Sequence, residues 1–288
     1  MRYSVIIPVY NRPDEVDELL QSLTQQSFKD FEVIVVEDGS SIPCKPVTEK
    51  YQELLDVHYY DKPNSGPGQT RNYGVERSKG EYLIILDSDC ILPEGYFLAV
   101  EEELQHEAAD AFGGPDRAHE SFTNIQKAIN YSSFFTTGGI RGGKKKMDKF
   151  YPRSFNMGVR QEVYQALGGF SRMRFGEDID FSIRIFKGGY TCRLFPGAWV
   201  YHKRRTDFRK FFKQVHNSGI ARINLYKKYP ESLKLVHLLP AAFTLGVAIF
   251  LLGTPFCPYS LLPIALYALL VCMDSTIRNR SLSIGLYS

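Results

Sequence analysis

Tyr82-Leu83-Ile84-Ile85-Leu86-Asp87-Ser88-Asp89-Cys90 joins an unbroken apolar run to two carboxylates one residue apart. Residues 82–86 lack polar alternation, as expected of a strand covered on both faces in a parallel sheet. Ligands of open parallel sheets gather outside the carboxyl ends of the strands, which is where Asp87 and Asp89 fall. Two hard oxygen donors at such a turn suit Mg²⁺ or Mn²⁺, an ion that keeps positions open for phosphate oxygens. Solvated acidic turns are the plainer explanation of a D-x-D; its place after so apolar a strand favours the metal.

Upstream, β-rich runs alternate with helix-period segments, and that alternation predicts an α/β fold with a mostly parallel nucleotide-binding sheet flanked by helices. Val5–Val9 is the first strand. A helix follows from Pro13, with Asp14, Glu15, Asp17 and Glu18 near its positive end and Leu19, Leu20 and Leu23 on one face. Next come a strand over 31–36, a helix around 47–55, a strand over 57–60 and a helix opened by Gly66-Pro67-Gly68 that reaches about Ser78. Two further strand ends carry Tyr10-Asn11-Arg12 and Glu37-Asp38-Gly39-Ser40. Asp38 can accept hydrogen bonds from a base or ribose, or simply shape the turn. Arg71, in the first turns of its helix beside exposed N–H groups, can meet a diphosphate or serve as an ordinary surface arginine.

Downstream, residues 138–153 are rich in Gly and Lys and are expected to form a mobile loop. Gly176-Glu177-Asp178-Ile179-Asp180 packs three acids at a helix start running to about Lys187. The helix dipole favours one or two of them there. Asp178, pressed against neighbouring acids, is expected to have raised proton affinity and to suit a general base. Tyr201-His202-Lys203-Arg204-Arg205 ends a later strand: His202 is a candidate third metal ligand or a structural imidazole, and the three cations can meet diphosphate or lipid headgroups. Residues 207–229 have the pattern of a basic amphipathic helix.

With 288 residues, 44% of them apolar and 23% charged, the chain is globular rather than disordered, collagen-like or disulfide-framed. Its net charge of +3 conceals a split, because residues 1–140 carry 11 Lys and Arg against 24 Asp and Glu, whereas residues 141–234 carry 22 against 7. Nucleic acid is nevertheless a poor partner for acidic strand ends, and no aromatic-basic stacking pattern stands out. Five unpatterned cysteines and a first strand that begins at once, with no leader, point to a reducing, cytosolic setting. Residues 235–273 contain no Asp, Glu, Lys or Arg and divide at Gly253-Thr254-Pro255 into halves of 18 residues. Each half, roughly 27 Å as helix, is just sufficient for a hydrocarbon core of ~30 Å. Lys234 on one side and Arg278 and Arg280 on the other place both ends of this hydrophobic hairpin on the cytoplasmic face. Membrane contact is favoured over a hydrophobic subdomain buried against protein, and spanning over a shallow interfacial hairpin broken by Pro240, Pro258 and Pro263. The expected division is a domain over 1–234, with halves 1–115 and 116–234, then the hairpin and a short basic tail, 274–288.

Taken in order, Ser4–Arg12, Val36–Ser40, Gly66–Gly74, Leu86–Asp89, Phe155–Gly158, Gly168–Phe170 and Gly176–Phe181 resemble the inverting family 2 glycosyltransferases of GT-A fold. The resemblance covers about residues 3–205. It implies that Pro8, Tyr10 and Arg12 line a nucleotide pocket, with Asp38 at the base, Arg71 near the nucleotide and Asp87 nearer the ribose. It further implies Asp89 as metal ligand with His202 as a less uniform second, Asp178 as catalytic base and Glu177 as its acceptor-side neighbour. The implied cofactor is Mn²⁺ or Mg²⁺, the donor a nucleoside-diphosphate sugar, and the reaction an in-line displacement with inversion. The Q-x-x-R-W motif of processive synthases is missing, Gln214–Ser218 not matching it, so transfer of a single sugar is expected. The hairpin beside a basic stretch fits a glycan or lipid-linked acceptor at the cytoplasmic side of a membrane. Two rivals stand beside this expectation. A nucleotidyltransferase needs a Gly-rich basic loop after the first strand, which Tyr10-Asn11-Arg12-Pro13 does not supply; a membrane-tethered, non-catalytic nucleotide-sugar binder would retain full function without Asp178.

Overall fold

The computed structural model describes residues 1–117, 122–136, 151–203 and 207–288. In chain order the first of these stretches forms β1 (Tyr3–Val9), α1 (Pro13–Thr24), β2 (Phe31–Asp38), α2 (Lys45–Glu49), β3 (Val57–Lys62), α3 (Pro67–Val75), β4 (Tyr82–Leu86), β5 (Cys90–Ile91), α4 (Tyr96–His106), β6 (Ala111–Gly113) and β7 (Asp116–Arg117). There follow α5 (Asn124–Thr136), β8 (Asn156–Arg160), α6 (Gln161–Ala166), α7 (Glu177–Lys187), β9 (Cys192–Leu194) and β10 (Val200–His202). The chain closes with α8 (Phe208–Lys228), α9 (Leu239–Gly253), α10 (Leu262–Asn279) and α11 (Leu282–Tyr287).

A seven-stranded sheet has the order β3-β2-β1-β4-β8-β6-β9, and a small sheet has the order β5-β10-β7. β1 to β4 run parallel, whereas β8 is antiparallel to both β4 and β6. The mixed, mostly parallel sheet agrees with the α/β expectation. Alternate residues of β1 serve opposite layers: Val5, Ile7 and Val9 pack with Leu19, Leu20 and Leu23 of α1 on one side, while Ile6 joins Phe181 and Ile185 of α7 in the core on the other. This period of two is what a strand covered on both faces requires. Pairing of β1 with β4 ends at Ile6↔Ile85, so Pro8, which has no N–H to give, falls where that edge is already free.

The helices lie close to the sheet for identifiable reasons. α1 begins with Pro13 and carries Asp14 and Glu15 in its first turn, where the dipole favours acids. A Cβ on Gly74 of α3 would meet Ile6 Cγ2 at 2.8 Å and Val36 Cγ2 at 3.2 Å, so only glycine lets α3 approach β1 and β2 this closely.

Some expectations change. The helix expected around 47–55 is the single turn Lys45–Glu49, followed by turns in which the N–H groups of Lys50, Tyr51, Gln52, Leu54 and Leu55 bond three or four residues back. β2 runs on to Asp38 because β3 continues to Lys62 and pairs with it. Most of the loop expected to be mobile, 138–150, lies outside the described residues. Its described end is fixed: the Ser182 hydroxyl donates to the Pro152 carbonyl at 2.9 Å, and the Tyr151 ring lies 4.7 Å from that of Phe186.

By contacts the chain divides into two units, residues 1–119 with 140–203, and residues 120–139 with 204–288. Residue 234, the expected boundary, falls inside the second unit. In that unit Tyr131 donates its hydroxyl to Asp274 Oδ2 at 2.5 Å, and Arg278 Nε lies 2.9 Å from the same oxygen. The Phe243 and Tyr267 rings meet at 5.1 Å, so α9 and α10 form the expected hairpin. The segments Leu235–Gly253 and Tyr259–Asn279 are long and apolar enough to cross a membrane.

Candidate active site

All the site residues expected from the sequence lie in the first unit, at the rim where the parallel strands end. After β4 the chain turns sharply, with the Cys90 N–H donating to the Asp87 carbonyl at 3.1 Å. The two-residue β5 then pairs with β10, setting Cys90 opposite His202. This brings His202 Nε2 within 3.2 Å of Asp89 Oδ1. The His202 ring stacks on Phe155 with centroids 4.7 Å apart. Arg12 donates to Asp89 Oδ2 at 2.6 Å from the β1 end. Asp89, Cys90 and His202 form one cluster of metal-capable side chains. Burial holds the Cys90 thiol protonated by raising its pKa well above the ordinary value, and its Sγ donates to the Phe155 carbonyl at 3.3 Å. The Asp89 carboxylate and the His202 imidazole are the groups of this cluster that could hold a divalent ion, while the softer Cys90 sulfur is turned to the Phe155 carbonyl.

Arg71 unites two motifs 90 residues apart in the chain. Its side chain is 3% exposed, one terminal nitrogen reaches Asp87 Oδ1 at 2.7 Å and the other Glu177 Oε1 at 2.9 Å. The guanidinium also sits 5.3 Å from the Phe170 ring centre. Both terminal nitrogens are thus committed to carboxylates. The cap of α7 is Gly176 at φ 84°, left-handed backbone that tips Glu177 and Asp178 into the cluster. Asp180, the third acid, turns instead to Arg184, which in turn donates to the Leu167 and Gly169 carbonyls at 2.6 Å each. Its part is to hold the Gly168-Gly169-Phe170 turn.

Asp178 corrects an expectation. Burial favours its neutral form, but Arg153, with Nε 2.6 Å from Asp178 Oδ2, outweighs this, and Arg71 and the Ile179 N–H add to it; the pKa lies below the ordinary carboxylate value. Glu177 is the acid whose proton affinity is raised, chiefly by burial, against the pull of Arg71 and with the help of Asp178. The repulsion anticipated from neighbouring acids falls on Glu177, because only Asp178 has a cation of its own.

The β2 end is built differently. Asp38 accepts from Lys62 Nζ at 2.5 Å and from the N–H groups of Ser65 and Gly66 at 2.9 Å each. Burial opposes its ionisation, but Lys62 and these donors hold its pKa below the usual range. Asn11, at φ 54°, accepts at Oδ1 from Ser41 N, Ser41 Oγ and Ile42 N, tying the β1 loop to the β2 loop. Tyr10 next to it is 54% exposed and free to meet a flat ligand. A cavity of about 250 Å³ beside Asp38 is lined by Glu37, Gly39, Ser40, Tyr59 and Lys62 among others, and by none of Asp87, Asp89 and Asp178. Lys203, expected at a diphosphate, pairs with Glu18 at 2.5 Å; Arg204 and Arg205 lie outside the described residues.

The structure thus gathers Arg12, Asp87, Asp89 and His202 at one end of the rim, joined through Arg71 to Glu177 and Asp178. Pro8, Tyr10 and Asp38 stand at the neighbouring strand ends. Arg153 and Lys62 were not among the expected residues, and Asn11 was named only within the strand-end run Tyr10-Asn11-Arg12. Lys62 closes β3 and Asn11 follows β1, so strand-end position was a usable signal; Arg153 carried none.

The family model for glycosyl transferase family 2 matches residues 4–168. An uncharacterized glycosyltransferase of Haemophilus influenzae is 30% identical over 189 residues, which cover 64% of this chain and 62% of that protein. The glycosyltransferase AglE of Haloferax volcanii is 25% identical over 249 residues, covering 84% of this chain and 80% of that protein. Poly(ribitol-phosphate) beta-N-acetylglucosaminyltransferase TarS of Staphylococcus aureus is 39% identical over 93 residues, 31% of this chain but 16% of that protein. Among solved structures, the mannosyltransferase PcManGT of Pyrobaculum calidifontis, in complex with GDP-Man and Mn²⁺, superposes with a TM-score of 0.72 at 17% identity, covering 99% of this chain and 84% of that one. TarS residues 1–349 with UDP-GlcNAc give a TM-score of 0.57 at 19% identity, covering 80% and 73%. These likenesses bear out the GT-A-type fold, and with the family match over more than half its length the chain belongs to glycosyl transferase family 2.

Proposed function

We propose that this chain is an inverting glycosyltransferase that moves one sugar from a nucleoside-diphosphate sugar to an acceptor hydroxyl. The observation that carries the proposal is the Arg71 bridge, which joins the D-x-D strand end to the acids of α7 at 2.7 and 2.9 Å. The site thereby has a donor side and an acceptor side held by one buried cation. Tyr10, Asp38 and the β1 and β2 loops bind the nucleoside, and Asp87 orients the ribose end. Asp89 and His202 hold a divalent ion, Mn²⁺ or Mg²⁺, which when bound supplies positive charge to the diphosphate. Arg12 fixes Asp89 in place. Asp178, ionised beside Arg153, takes the proton of the acceptor hydroxyl as its oxygen bonds to the anomeric carbon; the bond to diphosphate breaks on the opposite face and the diphosphate leaves with the electron pair. Configuration inverts because there is a single displacement.

The relatives supply two donor classes, since one is recorded with UDP-GlcNAc and the other with GDP-Man and Mn²⁺. The apolar hairpin α9–α10 and the basic, amphipathic α8 support attachment to the cytoplasmic face of a membrane and a glycan or lipid-linked acceptor. The test is donor hydrolysis by the purified chain against a panel of UDP- and GDP-sugars with Mn²⁺, Mg²⁺ or EDTA. Metal-dependent release of the nucleoside diphosphate from one donor, lost in Asp178→Asn and Asp89→Asn, is the expected result. Turnover unchanged in Asp178→Asn, or a complete lack of donor binding by calorimetry, would overturn the proposal.

A further inference from the structure

A second group of donors lies at the other rim of the main sheet, where β1, β2 and β3 begin. Glu32, the second residue of β2, is fully buried. Its Oε1 accepts from the Ser4 hydroxyl at 2.6 Å and from the Lys79 N–H at 2.7 Å. Its Oε2 is shielded from solvent and accepts no hydrogen bond among the described residues. That oxygen faces His58 Nε2 at 3.7 Å, and the same nitrogen lies 3.0 Å from Asp56 Oδ1. His58 Nε2 likewise makes no hydrogen bond of proper geometry. Donor atoms of all three residues fall within 4.8 Å of one another.

A desolvated carboxylate oxygen left unsatisfied is strongly disfavoured, so its persistence calls for a cation. We propose that Glu32, Asp56 and His58 form a Zn²⁺-type site separate from the one at Asp89. Around a tetrahedral ion with bonds of about 2.0–2.2 Å, ligand atoms lie about 3.3–3.6 Å apart, and the separations of His58 Nε2 from the two carboxylates, 3.0 and 3.7 Å, bracket that value. Two carboxylates and an imidazole form a donor set that zinc accepts. Asp56 and His58 have side chains 51% and 35% exposed, which gives the ion an entry path and leaves the fourth position to water. The bound ion ties the start of β2 to the start of β3 and neutralises Glu32. Its role is structural, since the site lies at the far end of the strands from Asp87 and Asp89.

The test is titration of the EDTA-stripped full chain with Zn²⁺ by calorimetry and with Co²⁺ by visible absorption. Wild type is expected to bind with a d–d spectrum lacking a thiolate charge-transfer band and to melt at a higher temperature with Zn²⁺. His58→Gln is expected to weaken this binding by at least about tenfold and to lose the thermal gain, whereas His202→Gln keeps both. Asp56→Asn, at an exposed position before β3, provides the same test should the histidine variant fold poorly. Equal Zn²⁺ affinity in wild type, His58→Gln and Asp56→Asn would overturn the proposal. So would loss of all binding in His202→Gln, or no Zn²⁺ uptake by wild type.

Discussion

Arg153 Nε sits 2.6 Å from Asp178 Oδ2, and this contact reverses the sign of the proton affinity that the acid-rich helix start suggests. The residue proposed to accept a proton is held ionised by a cation that must share it with the incoming hydroxyl.

The pH profile follows. With a folded pKa below the unfolded one, ionised Asp178 contributes stability above the unfolded value and loses it as pH falls through the folded value. The acid limb of kcat/KM therefore lies below the range of an ordinary aspartate. In Arg153→Gln burial acts without its main counterweight, so the limb moves to higher pH and activity falls most at the acid end. A limb unmoved in the variant would assign it to another group.

Breaking the Arg71 bridge leaves Glu177 and Asp87 without their common partner. Arg71→Met is expected to destabilise the fold by roughly 3–5 kcal/mol, read from urea unfolding, and to abolish donor turnover. Arg71→Lys keeps the charge but loses the two-armed geometry, and restores only part of either.

Gly74→Ala is expected to destabilise by about 1–3 kcal/mol, because the new methyl would press on Ile6 and Val36. Helix propensity alone gives the opposite sign, by about 1 kcal/mol in favour of alanine. Thermal melting decides between the two.

His202→Gln is expected to raise the half-saturating Mn²⁺ concentration by at least about tenfold in the donor-hydrolysis assay. Cys90→Ala should leave it within about twofold, since a soft sulfur turned to the Phe155 carbonyl is a poor donor to a hard ion.

What the sequence disclosed divides by range. β4 and α7 were legible to the residue or nearly so, because an apolar run and an acidic helix start are local patterns. In the small sheet only β10 was legible, as the strand ending at Tyr201-His202; β5 and β7, two residues each, are below the length at which any period can be read. The turn at Lys45–Glu49 shows a helix pattern cut short, its following residues closing as turns before β3. Site residues at strand ends were legible as positions, but their partners were not. Nothing in Tyr151-Pro152-Arg153 marks it as the counter-ion of an acid 25 residues on. Lys62 claims Asp38 only because β3 runs two residues beyond its apolar core.

The reversed direction of β8 has an architectural consequence. Leu86 pairs with Asn156, so this strand enters the sheet at the rim where β4 finishes. Phe155, the residue just before β8, is thereby set with its carbonyl on the Cys90 thiol and its ring on that of His202. A strand that comes late in the chain therefore walls the metal-capable cluster, so whatever slides β8 along β4 also moves the footing of His202.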